Sequence, residues 1–153
     1  MTDALYEQDF YRWTQEQAAA LRGAAGVGAN LPVDWKNVAE EIESLGRSDR
    51  REVVSRLTTI AEHLLKLEHS PARDPRPGWS ETISRERVII EGLLMESPSL
   101  RPDLPNMAAT AAATAVRLTA RGLAHHGETE AARRVEEAGA PYTPDQLLGE
   151  WFP

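Results

Sequence analysis

The sequence has no cysteine in its 153 residues, which excludes disulfide bonds and thiolate metal sites. This absence suits a reducing compartment, and we expect a cytoplasmic protein. Long apolar runs are also missing, since none approaches the roughly 20 residues that a membrane-spanning helix requires. The acidic start of the chain lacks the apolar core of a secretory signal peptide. These absences together predict a chain with no membrane segment.

The sequence also has fewer basic than acidic residues. The chain carries 17 Lys and Arg residues against 24 Asp and Glu residues, which gives a formal net charge of −7. A negative protein is poorly suited to general binding of polyanions, so nucleic acid is not expected as a partner. Residues 47–87 hold nine basic and seven acidic side chains, and so small an excess is typical of a solvated helix face. Protein partners, including a second copy of the chain, remain open.

Helical periodicity is the main pattern that the sequence contains, and no run of residues alternates in the manner of a β-strand. Residues 3–22 carry one apolar stripe and predict a first helix. A period of 3.6 residues then predicts one long helix over most of residues 35–69. Its expected buried face consists of Val38, Ile42, Leu45, Val53, Leu57, Ile60, Leu64 and Leu67. The apolar phase continues across Gly46, which favours one helix over a reversal of the chain.

The second half of the chain predicts further helices. One starts near Ser80, an alanine-rich one covers residues 103–124, and a short one covers residues 128–138. Thr143 and Gln146 have the spacing of a capping box, which predicts a last short helix. We therefore expect an all-α fold, an antiparallel bundle of about four main helices with short C-terminal helices, in one domain over residues 1–153.

Several stretches carry a family resemblance. They are Asp-Phe at 9–10 with Trp13 and Gln17, Glu-Glu-Ile-Glu-Ser-Leu-Gly-Arg at 40–47, Ser-Arg-Leu at 55–57 with His-Leu-Leu-Lys at 63–66, Ser-Pro-Ser-Leu at 97–100, and Pro-Tyr-Thr at 141–143. Together they resemble the bacterial family called domain of unknown function family twenty-nine. The resemblance covers nearly the whole chain. It implies a compact all-α fold typical of bacteria, and it implies no activity.

The acidic run Glu40, Glu41 and Glu43 is the first candidate site, because three carboxylates could bind a hard cation or act as general base. On a helix, however, Glu41 points about 100° away from Glu40, so a metal would need ligands from another helix. A structural role is favoured. Arg87 lies in an apolar stripe, and a buried guanidinium needs a partner. We predict that these glutamates supply it.

Arg56 and His63 form the second candidate site, because seven residues bring both to one helix face. The spacing resembles the arginine–six–histidine motif of HEPN-type helical ribonucleases. That resemblance implies an acid/base role for His63 and phosphate stabilisation by Arg56. A histidine beside an apolar stripe is more often structural. A metal-dependent hydrolase using Glu41, Glu43 and His63 ranks lower, and no metal or cofactor is expected, since no histidine pair has ligand spacing.

These signals favour a non-catalytic bacterial helical protein that acts through contacts with a protein partner or with a second copy. A helical ribonuclease using Arg56 and His63 is the main alternative. The two hypotheses make opposite structural predictions. An enzyme would bring both side chains to an open cleft, whereas an interaction protein would satisfy them internally and expose an apolar patch elsewhere.

Overall fold

The computed structural model describes residues 2–28 and 30–153. Seven α-helices follow one another in this part of the chain: α1 (Thr2–Gln8), α2 (Phe10–Gly26), α3 (Trp35–His69), α4 (Arg76–Glu96), α5 (Leu104–His125), α6 (Thr129–Ala138) and α7 (Pro144–Leu148). A 3-10 helix, Pro98–Asp103, separates α4 from α5. The described residues contain no β-strand, and the expected all-α fold with four long helices and short C-terminal ones is confirmed.

The chain divides into two compact units. The first comprises residues up to 52 together with residues 93–101, and the second comprises residues 53–92 together with residues 102–153. Helix α3 is continuous through Gly46, as predicted. None of the helices in the described ranges is long and apolar enough to cross a bilayer.

The first helical segment breaks at Asp9, where a single helix over residues 3–22 was expected. The Asp9 carboxylate accepts a hydrogen bond from the backbone N–H of Arg12 at 3.0 Å and thereby caps α2. It also accepts bonds from the backbone N–H and the hydroxyl of Ser99, at 2.9 and 2.8 Å. The Ser97 hydroxyl accepts from the backbone N–H of Tyr11 at 3.1 Å. These bonds join the start of α2 to the segment before α5.

The buried face of α3 differs from the predicted one in its first half. Ala39 and Gly46 are buried there, whereas Val38 and Leu45 are 38% and 52% exposed. Gly46 faces α2 so closely that a Cβ atom would overlap the Thr14 hydroxyl oxygen. Small residues therefore form the packed seam with α2, Val38 and Leu45 turn outward, and Ile42 is half-buried. From Val53 onward the predicted face is buried as expected.

The second unit packs small side chains between its helices. Helix α5 contacts α6 and α7, and its buried residues include Ala111, Ala115 and Ala120. The Tyr142 hydroxyl donates to Glu68 Oε2 at 2.8 Å and anchors the segment before α7. Helix α7 begins with the predicted capping box of Thr143 and Gln146. The C-terminal segment is thus held at several points on the body of the unit.

The close approach at Gly46 predicts that Gly46→Ala destabilises the protein. Alanine gains about 0.5–1 kcal/mol in a helix interior, but overpacking typically costs about 1–3 kcal/mol. We expect a net loss of roughly 1 kcal/mol in the free energy of unfolding, measured in urea. Gly92→Ala in α4 is the matched control, because nothing lies within 4 Å of its added Cβ. That variant should be neutral or more stable, and a gain at both positions would contradict the packing described here.

Candidate functional site

Arg56 has an internal partner, the carboxylate of Glu86. Its Nη1 donates to Glu86 Oε2 at 2.9 Å, and the two side chains are only 28% and 15% exposed. The bond joins α3 to α4 within the second unit. A guanidinium held by a carboxylate in this way has part of its bonding capacity already used. The pair therefore links α3 to α4 through one charge-assisted hydrogen bond.

His63 also bonds within the protein. Its Nδ1 lies 2.7 Å from the backbone carbonyl oxygen of Thr59, one turn earlier in α3, and donates to it. Burial lowers the pKa of His63 below its ordinary value of 6.5, and the neighbouring Lys66 lowers it further. The Thr59 bond and Glu86 act in the opposite direction. His63 is thus half-buried and bonded to a carbonyl of its own helix.

The acidic run on α3 finds its partners within the first unit. Arg22 pairs with Glu43 and, at 3.4 Å, with Glu40. Arg47 donates to Glu40 Oε1 at 2.6 Å. Glu41 is exposed and forms no ion pair with any residue that the structure describes. Ion pairs as exposed as these contribute little to stability, typically less than about 1 kcal/mol.

Arg87 is buried, as predicted, but its partners are neutral backbone groups. Its Nε donates to the carbonyl oxygen of Leu147 at 2.8 Å. Its Nη2 donates to the carbonyl oxygens of Gln146 and Trp151, at 2.8 and 2.6 Å. The prediction that Arg87 pairs with the acidic run of α3 is therefore wrong. The end of a short helix has carbonyls without intrahelical partners, and these accept the guanidinium bonds.

An aromatic ring completes the surroundings of Arg87. Its guanidinium carbon lies 4.8 Å from the centre of the Phe152 ring, a cation–π geometry. Burial lowers the pKa of Arg87, but an arginine side chain keeps its charge in proteins. One charge thereby fastens α7 and the last residues of the chain to α4.

The remaining histidines form no metal centre. Among the described residues, no group of three or more His, Asp or Glu side chains is arranged to hold a metal ion. His125 and His126 contact each other at 5.7 Å between ring centres, at the exposed end of α5. The hydrolase alternative has no support in this arrangement, because Glu43 is engaged by arginine and His63 by a carbonyl.

Sequence reasoning missed two sets of partners, Glu86 for Arg56 and the C-terminal carbonyls for Arg87. Glu86 could have been considered from the sequence, because it directly precedes Arg87, a residue predicted to lie in the interior. The carbonyls carried none, since every residue has one and only the fold brings these to Arg87.

The bonds of Arg87 predict that its replacement destabilises the protein. Replacing it by Leu leaves three carbonyls without their donor, and we expect a loss of about 3 kcal/mol or more in the free energy of unfolding. Hydrogen exchange of residues 144–153 should accelerate in the same variant. Arg85→Leu is the control, because its side chain is 66% exposed on the same helix. Equal stability of the two variants would refute the role of Arg87.

His63 predicts a pH test. Because folding lowers the pKa of His63, the unfolded chain binds the proton at a higher pH than the folded chain does. The contribution of His63 to stability is therefore full above about pH 6.5, and it is lost as pH falls toward the folded pKa. His63→Asn keeps a donor for Thr59 but cannot titrate. The variant should lose less stability than the wild type between pH 7.5 and 5.5.

Melting temperatures of both proteins across this range provide the measurement for His63. The difference between them is needed because burial raises the pKa of Glu62, which favours the folded state as pH falls. Identical pH profiles, or RNA cleavage by the wild type that disappears in a stable His63→Asn variant, would contradict the structural role.

Comparisons with known proteins agree with this fold. A solved alpha-helical protein of unknown function from Rhodospirillum rubrum is similar, with 24% sequence identity, a TM-score of 0.71, and coverage of 97% of this chain and 91% of that one. At this identity the likeness shows the fold alone. Among curated proteins none matches significantly. The family model of the domain of unknown function DUF29 matches residues 5–152. The chain therefore belongs to the DUF29 family, as its sequence motifs suggested.

Proposed function

We propose that the chain is a non-catalytic interaction protein whose contact surface is the outer stripe of α3, defined as Asp34, Val38, Glu41 and Leu45. The observation that carries the proposal is the exposure of Val38 and Leu45, at 38% and 52%. Val38, Glu41 and Leu45, spaced by 3 and 4 residues, lie on one line along the helix, and Asp34 stands immediately before its first residue. The setting we propose is the bacterial cytoplasm, with which the lack of cysteine is compatible.

More exposed apolar side chains lie just before this stripe. Leu31 and Val33, in the segment that leads into α3, are 63% and 39% exposed. Single exposed apolar residues are normal on protein surfaces, but several in a short stretch are typical of a contact site. Residues 31–45 therefore hold four such side chains.

The charges of the stripe favour a particular kind of partner. Asp34 and Glu41 are both acidic and exposed, and Glu41 has no ion pair within the described residues. A second copy docked along the same stripe would bring like charges together, which costs free energy. An amphipathic helix of another protein, with basic residues beside its apolar ones, would complement both features. This is the partner that we propose.

The candidate catalytic residues support a non-catalytic role. Arg56 is bonded to Glu86 and His63 to the Thr59 carbonyl, so both side chains have partners within the protein. These internal bonds are what an interaction protein was expected to have.

A defined peptide tests the proposed surface. The probe is an 18-residue helical peptide with Leu on one face and Lys beside it, compared with the same peptide in which Glu replaces every Lys. We expect the wild type to bind the basic peptide and Leu45→Glu to lose at least tenfold in affinity by calorimetry. The added negative charge should otherwise strengthen attraction to a basic peptide, so a loss reports on the apolar contact.

Leu118→Glu is the matched control for this experiment. Leu118 lies on α5 and is 46% exposed, close to the value for Leu45, and the charge change is the same. The control should bind as the wild type does. Equal affinity of both variants, equal binding of the acidic peptide, or formation of homodimers that Leu45→Glu abolishes would overturn the proposal.

A further inference from the structure

A cavity of about 460 Å³ lies in the second unit. Its lining includes Lys66, Trp79, Leu123, His126 and Glu128. These residues come from α3, from α4 and from the end of α5 with the residue before α6. The size falls within the range of about 300–1,000 Å³ that small-molecule sites occupy.

The lining combines an apolar wall with two opposite charges. Leu123 is buried, and Trp79 presents an aromatic ring that is half-buried. Lys66 and Glu128 are both only partly exposed, yet no ion pair joins them within the described part of the chain. Glu128 accepts a hydrogen bond from the Ser70 hydroxyl, which holds its carboxylate in place.

Lys66 is the less satisfied of the two. Its ammonium group makes no hydrogen bond or ion pair with any residue that the structure describes. Its charge acts on the carboxylate of Glu62, one turn earlier in α3, without forming an ion pair, and a ligand carboxylate would be attracted to it. A ligand amine would be attracted to Glu128 and to the face of the Trp79 ring.

We propose that this cavity binds a free amino acid with an apolar side chain. In this arrangement Lys66 takes the ligand carboxylate, Glu128 takes the ligand amine, and Trp79 and Leu123 contact the side chain. His126 is exposed and adds a further polar group to the lining. The proposal is independent of the outer stripe of α3.

Calorimetry with the full chain tests the site, with L-phenylalanine and L-leucine as probes. Two analogues separate the charges: 3-phenylpropionate lacks the amine, and phenethylamine lacks the carboxylate. Lys66→Met should weaken L-phenylalanine and 3-phenylpropionate at least tenfold while leaving phenethylamine unchanged. Glu128→Gln should weaken L-phenylalanine and phenethylamine while leaving 3-phenylpropionate unchanged, since Gln still accepts from Ser70.

Lys36→Met is the matched control, because it removes the same charge from an exposed position on α3. It should bind all probes as the wild type does, and melting temperatures should verify that each variant is folded. Absence of heat with both amino acids at millimolar concentration would overturn the proposal. So would equal weakening of every probe by both variants, or binding that neither variant changes.

Discussion

Arg87 places a full positive charge beside Ile83 and Ile90 in the interior of the second unit, and the C-terminal segment folds around that charge. A buried guanidinium is tolerated only when its donors are bonded. Three backbone carbonyls of the last turn and tail supply the acceptors, and the Phe152 ring covers the charge. The capping box of α7 and the bond from Tyr142 to Glu68 hold those carbonyls in position.

Other interior polar groups follow the same rule. Arg56 is held by Glu86, His63 donates to a helix carbonyl, and Asp9 caps α2 while accepting from Ser99. Arg56, His63, Asp9 and Ser99 all lie in the stretches that carry the family resemblance. These bonds occupy the candidate catalytic side chains within the fold, and the proposals made above therefore concern the surface and the cavity.

The outer stripe of α3 results from a packing constraint. Gly46 allows Thr14 and Tyr11 of α2 to approach the helix closely, and Ala39 lies on the same seam. Consecutive residues of a helix point about 100° apart. Because Ala39 and Gly46 face the packed seam, their neighbours Val38 and Leu45 point away from it. Val38 and Leu45 are thus exposed because small residues form the contact with α2, and they belong to the surface that we propose for a partner.

Much of the fold could be predicted from the sequence, because helix periods and caps are local signals. The continuity of α3 and the box of Thr143 and Gln146 are examples. The break at Asp9 could not, since it depends on Ser99, far along the chain. Nor could the phase of α3 near Gly46, because apolar spacing alone does not distinguish a seam of small residues from a stripe of large ones. The carbonyl partners of Arg87 likewise exist only in the folded chain.

We propose that the outer stripe of α3 contacts a basic amphipathic segment of another protein. Site-specific photo-crosslinking in living host cells tests it directly, with the photoreactive residue at position 45 and, for comparison, at position 118. We expect a discrete crosslinked partner at position 45 and none at position 118. The crosslink should map to a helical segment of the partner that bears basic and apolar residues. Equal crosslinking at both positions, or crosslinks only to a second copy of the chain, would contradict it.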